Sequence, residues 1–95
     1  MAPLFSVIVL SYCSERYLKT VLDSIFAQDY PAIELIVSDD GTPNFDAVAV
    51  TEQISQRGGD KLVRYIVLTH TENLGTVASF NRAVQEAKGQ YIKVI

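Results

Sequence analysis

Two adjacent carboxylates, Asp39 and Asp40, followed by Gly41 and the hydroxyl of Thr42, close the apolar run Glu34-Leu35-Ile36-Val37-Ser38. A fixed carboxylate accepts hydrogen bonds from N–H groups, so such an acid can read a polar ligand as well as order a turn. Gly41 lets the backbone turn tightly, and Asp40 and Thr42 can bond locally or point outward. For this segment by itself two readings stay open, a ligand-facing acid or an Asx-type turn that starts the next loop. Other polar residues stand at comparable points. Ser11 and Tyr12 follow the run Phe5 to Leu10, Glu15 opens a helical pattern, and Asn81 lies in a later one. His70 sits in a polar loop, is expected to be exposed, and has no partner at metal or triad spacing.

The elements that must hold these residues are legible as changes of period. Phe5 to Leu10 and Ile33 to Val37 are apolar at nearly every position, as in parallel strands covered on both faces. The carboxyl ends of such strands form the crevice of open α/β sheets, and both polar clusters lie there. Between the two strands, Tyr17, Leu18, Val21, Leu22, Ile25 and Phe26 repeat as one face of a helix from Glu15 to about Gln28. Ser14 is its expected N-cap, and Asp29-Tyr30-Pro31 stops it. A second helix is expected over Phe45 to Gln56, capped by Asn44 and burying Phe45, Val48, Val50 and Ile54. Leu62 to Leu68 is a third strand, placed nearer an edge by Arg64. A third helix covers Thr76 to Lys88 with Val77, Phe80, Val84 and Ala87 inward and Gly89 as its C′ residue. Gln90 to Ile95 opens a fourth strand. This β-α-β-α-β-α-β order implies a doubly wound parallel sheet in a three-layer α/β/α arrangement, with spatial order third, second, first, fourth. The chain ends inside its last strand, so it is expected to be the N-terminal part of a longer protein, and that bare strand to invite self-association.

Composition narrows the function classes. Ninety-five residues with 48% apolar and 20% charged side chains suit one small globular domain. The eight Lys and Arg residues are dispersed among eleven acids, for a net charge of −3, so nucleic-acid binding has no electrostatic footprint. Cys13 is the single cysteine, which excludes an internal disulfide and a cysteine-cluster metal site and suits a reducing, cytoplasmic setting. No apolar run is long enough to span a bilayer, and no signal-peptide pattern precedes the first strand.

In order along the chain, Ser6-Val-Ile-Val-Leu-Ser-Tyr12, Ser24-Ile-Phe-Ala-Gln28, Glu34-Leu-Ile-Val-Ser-Asp39-Asp40-Gly41-Thr42, Asn73-Leu-Gly75, Asn81 and Lys88-Gly-Gln-Tyr-Ile92 resemble the nucleotide-binding half of family 2 glycosyltransferases of the GT-A fold. The resemblance covers essentially the whole chain and implies a Rossmann-like partial GT-A fold. It further implies an inverting enzyme that, when complete, transfers a sugar from a nucleoside-diphosphate sugar, UDP- or dTDP-type, to an acceptor glycan or lipid. Tyr12 matches the family tyrosine that lies against the base, and Asp40 the acid that accepts from base N–H groups. Asp39 is expected to turn toward backbone donors, Ser11 to stand beside the ribose, and Glu15 either to reach the ribose or to remain a solvated helix-terminal acid. Asn81 matches an asparagine on the ligand side, or is a buried polar group tying helix to loop.

Three positions depart from the family pattern. Cys13 stands where asparagine is usual, Leu10 where proline or threonine is frequent, and Phe80 where many members carry arginine. The family's Asp-x-Asp segment, which holds a divalent cation (Mg or Mn) against the diphosphate, and its catalytic base both come after Ile95. The chain alone is therefore expected to hold no metal, to bind a nucleotide weakly and to transfer nothing. Complete, such a protein would work in the cytoplasm or at the inner membrane face, in polysaccharide or cell-envelope synthesis. Two other classes fit the pattern less well. A sugar-phosphate nucleotidyltransferase needs a glycine- and basic-rich loop after the first strand, which Ser11 to Glu15 does not supply. A receiver-like signalling module would carry its acid pair after the first strand, whereas here it follows the second.

Overall fold

The computed structural model describes residues 3–13, 15–70 and 72–95, and the Glu15 side chain is also outside that description. The expected Ser14 cap therefore lies outside the described residues. The elements are β1 (Phe5–Ser11), α1 (Glu15–Ala27), β2 (Ile33–Asp39), α2 (Ala47–Ser55), a single 3-10 turn (Gly59–Lys61), β3 (Leu62–Thr69), α3 (Thr76–Glu86) and β4 (Tyr91–Val94). All strand pairings are parallel and the sheet order is β3-β2-β1-β4, the doubly wound arrangement expected. Each of the first three strands runs further than its apolar core, so that Ser11 and Asp39 are the last residues of β1 and β2 and pair in register.

Because successive side chains on a strand point to opposite faces, β1 and β2 feed two cores. Val7, Val9, Leu35 and Val37 pack under α1 and α2 with Leu18, Val21, Leu22, Ile25 and Ile54. Ile8 and Ile36 pack with Leu68 and Ala83 under α3 on the other face. The helix faces differ from the pattern in places. Tyr17 is exposed, since Leu18, Val21, Leu22, Ile25 and Phe26 already complete the inward stripe of α1. In α2 the buried side is Ala47, Thr51, Ile54 and Ser55, leaving Val48 exposed, and the cap is Asp46, whose carboxylate accepts the Ala49 amide at 3.0 Å, rather than Asn44. In α3 the fully buried residues are the small Ser79 and Ala83, which let the helix sit close to the sheet, while Val77 is 73% exposed and Phe80 only half-buried. That helix ends at Glu86 with Ala87 extended, so Gly89 is not its C′ residue. Gly89 is required instead by close approach: a Cβ there would lie 2.5 Å from Ser6 Oγ and 2.7 Å from Ser6 N.

Arg64 is on the edge strand as expected, but the reason it is tolerated was not apparent. It pairs with Glu34, its register partner on β2, whose side chain is buried. The same carboxylate accepts the Ser6 hydroxyl and the Lys88 amide, each at 2.8 Å, and Ser6 Oγ in turn accepts the Gly89 amide. Burial pushes the Glu34 carboxyl up, but the Lys88 amide, the Ser6 hydroxyl and the Arg64 guanidinium outweigh it and leave the group below its ordinary 4.5. This knot ties β1, β2, β3 and the turn into β4 at the end of the sheet opposite the acid pair.

Candidate functional site

At the carboxyl ends of β1 and β2 the two aspartates separate in role because they face opposite ways. Asp39 accepts the Thr42 amide at 3.0 Å and the Thr42 hydroxyl at 2.8 Å, which makes it the residue that orders the turn. Thr42 Oγ1 also accepts the Cys13 amide at 2.8 Å, joining the loop after β1 to the loop after β2. Cys13 has φ 51, a left-handed conformation that asparagine adopts more readily, so its departure from the family residue falls on a strained position. Gly41 has φ +79, and a Cβ there would lie 2.7 Å from the backbone carbon of Glu72. Only glycine lets the 72–75 segment pack against this turn.

Asp40 points the other way, toward α3. Its Oδ1 is 2.9 Å from His70 Nδ1 and accepts the Leu74 amide at 2.8 Å, and its Oδ2 accepts the Gly75 amide at 2.7 Å. His70 is the main cause that holds this carboxyl below its ordinary 3.8; burial opposes, and the Leu74 and Gly75 amides add to the lowering. His70 is thus not the exposed loop residue expected. Its side chain is 6% exposed, and its amide bonds to the Asp39 carbonyl as the chain leaves β3. The available signal was the strand register: Asp39 pairs with Thr69, which sets residue 70 beside residue 40.

Between the end of β1, Asp40 and the start of α3 lies a cleft of about 290 Å³ lined by Leu10, Ser11, Tyr12, Asp40, Asn73, Gly75, Thr76 and Ser79. It brings together Ser11, Tyr12 and Asp40 of the six expected site residues. Asp39 is behind the turn, and the Glu15 side chain lies outside the described residues. Asn81 is exposed on α3 and is not among the lining residues, so it is not the buried tie between helix and loop. Asn73, Gly75, Thr76 and Ser79 join the site through the fold of the 72–75 segment.

The chemistry of the lining is specific. Tyr12 offers a half-exposed aromatic face, and Asp40 is the single charged group among the lining residues. Ser11 Oγ and Ser79 Oγ are buried without a hydrogen-bond partner of normal geometry among the described residues, although Ser79 still favours the charged form of Asp40. Unpaired buried hydroxyls in a cleft are matched by a ligand that supplies their partners. No lysine or arginine lines the cleft, so it suits a neutral polar ring and sugar hydroxyls better than a phosphate. Among the described residues, no three His, Cys, Asp or Glu side chains are grouped to hold a metal.

Comparison with known proteins places this geometry in a family context. An uncharacterised glycosyltransferase of Rickettsia felis is 35% identical over 89 residues, covering 94% of this chain and 14% of that protein. One of Methanocaldococcus jannaschii is 35% identical over 94 residues, covering 98% of this chain and 31% of the relative. Among solved structures, Staphylococcus aureus TarS 1-349 in complex with UDP-GlcNAc superposes with a TM-score of 0.73 at 32% identity, over 96% of this chain and 25% of that one. The mannosyltransferase PcManGT from Pyrobaculum calidifontis, in complex with GDP-Man and Mn2+, shares the fold with a TM-score of 0.80 at 24% identity, over 97% and 26% of the two chains. The chain spans only 12 to 31% of the length of its curated relatives. The sequence model of glycosyl transferase family 2 matches residues 6–95, from the second residue of β1 to the end of the chain, and on that match the chain belongs to this family.

Proposed function

We propose that this chain is the donor-nucleotide-binding part of an inverting glycosyltransferase, and that the cleft between β1, Asp40 and α3 seats the nucleoside of a UDP- or dTDP-type sugar. The observation that carries this reading is the lining itself: one carboxylate, one aromatic face and the buried hydroxyls of Ser11 and Ser79, at the carboxyl ends of parallel strands. A volume near 290 Å³ lies at the lower end of small-molecule sites, which run from about 300 Å³ upward, and suits a nucleoside rather than an entire sugar nucleotide. Asp40 accepts an N–H of the base, Tyr12 lies against its ring, and Ser11 and Ser79 meet hydroxyl or carbonyl groups.

In the complete enzyme an acceptor hydroxyl of a glycan or lipid displaces the nucleoside diphosphate directly from a hexosyl donor. A divalent cation, Mg or Mn, belongs to that enzyme, and the Mn2+ named with PcManGT supports it. Among the described residues no three His, Cys, Asp or Glu side chains are grouped to hold it. The chain alone binds and positions the nucleoside but transfers no sugar. The setting proposed for the complete protein is the cytoplasm or the inner membrane face; no helix among the described residues is long and apolar enough to cross a membrane.

Titration of the isotopically labelled chain with uridine diphosphate, followed by amide NMR shifts, tests the reading and tolerates weak binding. Saturable shifts should centre on Ser11, Asp40, Asn73, Gly75 and Thr76. Shifts confined to another surface, or none at millimolar nucleotide, would contradict it.

A further inference from the structure

Tyr12, the aromatic face of the cleft, is bracketed by two bonds to one turn. On its N-terminal side the Ser11 carbonyl accepts the Asp40 amide at 2.8 Å, and on its C-terminal side the Cys13 amide donates to Thr42 Oγ1 at 2.8 Å. Both anchors belong to residues 40–42, the turn that also carries the Asp40 carboxylate. The first is backbone to backbone and continues the β1–β2 pairing, whereas the second ends on a side chain. Asp39 fixes how that side chain presents itself. An ionised carboxylate donates nothing, so the Thr42 hydroxyl gives its one proton to Asp39 Oδ1 at 2.8 Å and turns a lone pair to Cys13. The Thr42 amide on Asp39 Oδ2 locks the same arrangement, and both residues are buried. What they hold is a conformation that the loop does not favour by itself: Cys13 is exposed and has φ 51, in the left-handed region.

We infer that Thr42 is a positioning residue for nucleoside binding: its hydroxyl clamps the loop after β1 so that the Tyr12 ring stands at a fixed place relative to the Asp40 carboxylate. Recognition by an aromatic face and a carboxylate together gains from having both set before the ligand arrives, since ordering a loop on binding subtracts from affinity. Without the hydroxyl, the Cys13 amide turns to water and Cys13 relaxes out of the left-handed region. Tyr12 beside it then loses its place, while Asp40 stays held by the Leu74 and Gly75 amides. Thr42 is not among the cleft-lining residues, so it acts through Tyr12. This inference rests on the nucleoside reading of the cleft.

The test is amide NMR titration with uridine diphosphate on the wild-type chain, Thr42→Val and Thr42→Ser, each repeated in a Tyr12→Ala background. Valine keeps the shape and drops the hydroxyl; serine keeps the hydroxyl. With Tyr12 in place, Thr42→Val should lower affinity about three- to tenfold, the worth of one net hydrogen bond, and Thr42→Ser should stay within about twofold of wild type. In the Tyr12→Ala background, Thr42→Val should change affinity by less than about twofold, a non-additivity that general loosening of the domain does not produce. The amide spectrum reports folding, and the wild type supplies a measurement that needs no variant. Coupling is reciprocal, so saturation with uridine diphosphate should slow hydrogen exchange of the Cys13 amide about threefold or more. A folded Thr42→Val that binds like wild type, equal losses in the two backgrounds, or Cys13 exchange unchanged by nucleotide overturns the role of Thr42 and leaves the nucleoside reading standing. Absence of any cleft response to uridine diphosphate in the wild type overturns both.

Discussion

Replacing Glu34 by alanine should remove a large part of the stability of the domain. The carboxylate is buried and accepts two well-formed hydrogen bonds, from Ser6 Oγ and the Lys88 amide, as well as pairing with Arg64. Hydrogen bonds to a charged group contribute roughly 1.5–3 kcal/mol each, and the donors left behind lose their partner. The Arg64 side chain is 36% exposed, so water replaces much of what it loses and its share is small. The total is then about 3–6 kcal/mol, against a stability of about 5–14 kcal/mol expected for a chain of this size. Glu34→Gln keeps the shape and one acceptor, and should lose about half as much. Urea unfolding followed by circular dichroism measures both. Acidification adds a check of sign. Glu34 is held below its ordinary 4.5, so its stabilisation is complete above that pH and is lost as pH falls through the lower folded value. The gap between wild type and Glu34→Ala should therefore close in acid. A Glu34→Ala variant within about 1 kcal/mol of wild type at pH 7, or a gap that persists unchanged at pH 2, would refute the reasoning.

Gly41→Ala should cost more than Gly59→Ala, because both glycines have positive φ but only Gly41 faces backbone at 2.7 Å. Gly59→Ala should show only the strain of the left-handed region, about 1–2 kcal/mol, whereas Gly41→Ala should exceed it and shift the Leu74 and Gly75 amides; equal losses would remove the packing argument. Cys13→Asn should stabilise the chain by roughly 0.5–1 kcal/mol, since asparagine tolerates φ near 51 better than cysteine, and a loss of stability on thermal unfolding would contradict this. The exposed edge strand β4, with Tyr91, Ile92 and Val94 all at least 43% exposed, should make the chain associate as concentration rises. Sedimentation showing a strict monomer at high concentration would count against that proposal.

The sheet was legible because β1 and β2 carry unbroken apolar runs, which in a βαβ chain means central parallel strands, and Arg64 marked β3 as an edge. The turn role of Asp39 and the meeting of Tyr12, Ser11 and Asp40 followed from placing both polar clusters at strand ends. The misreadings share a physical origin: they concern contacts made across the fold. His70 looked exposed because its loop is polar, yet burial came from β3 ending beside Asp39. Glu34 sits at the start of an apolar run that hides its partner, although an acid and a base at facing register positions, Glu34 and Arg64, form a detectable pair. Apolar periodicity pointed α3 inward through Val77, but closeness to the sheet selected the small residues Ser79 and Ala83. In α2 the same periodicity favoured Val48 over Thr51, whose hydroxyl is buried without a partner among the described residues.

The central claim is that a nucleoside sits in the cleft with its base between Tyr12 and Asp40. Intermolecular nuclear Overhauser effects in the chain loaded with uridine diphosphate test this most directly, because they report contact rather than a propagated shift. The account predicts cross-peaks from the uracil ring protons to the Tyr12 ring, with ribose protons near Thr76 or Ser79. Cross-peaks that place uracil against Arg82 and Glu72 in the second hollow, with none to Tyr12, would contradict it.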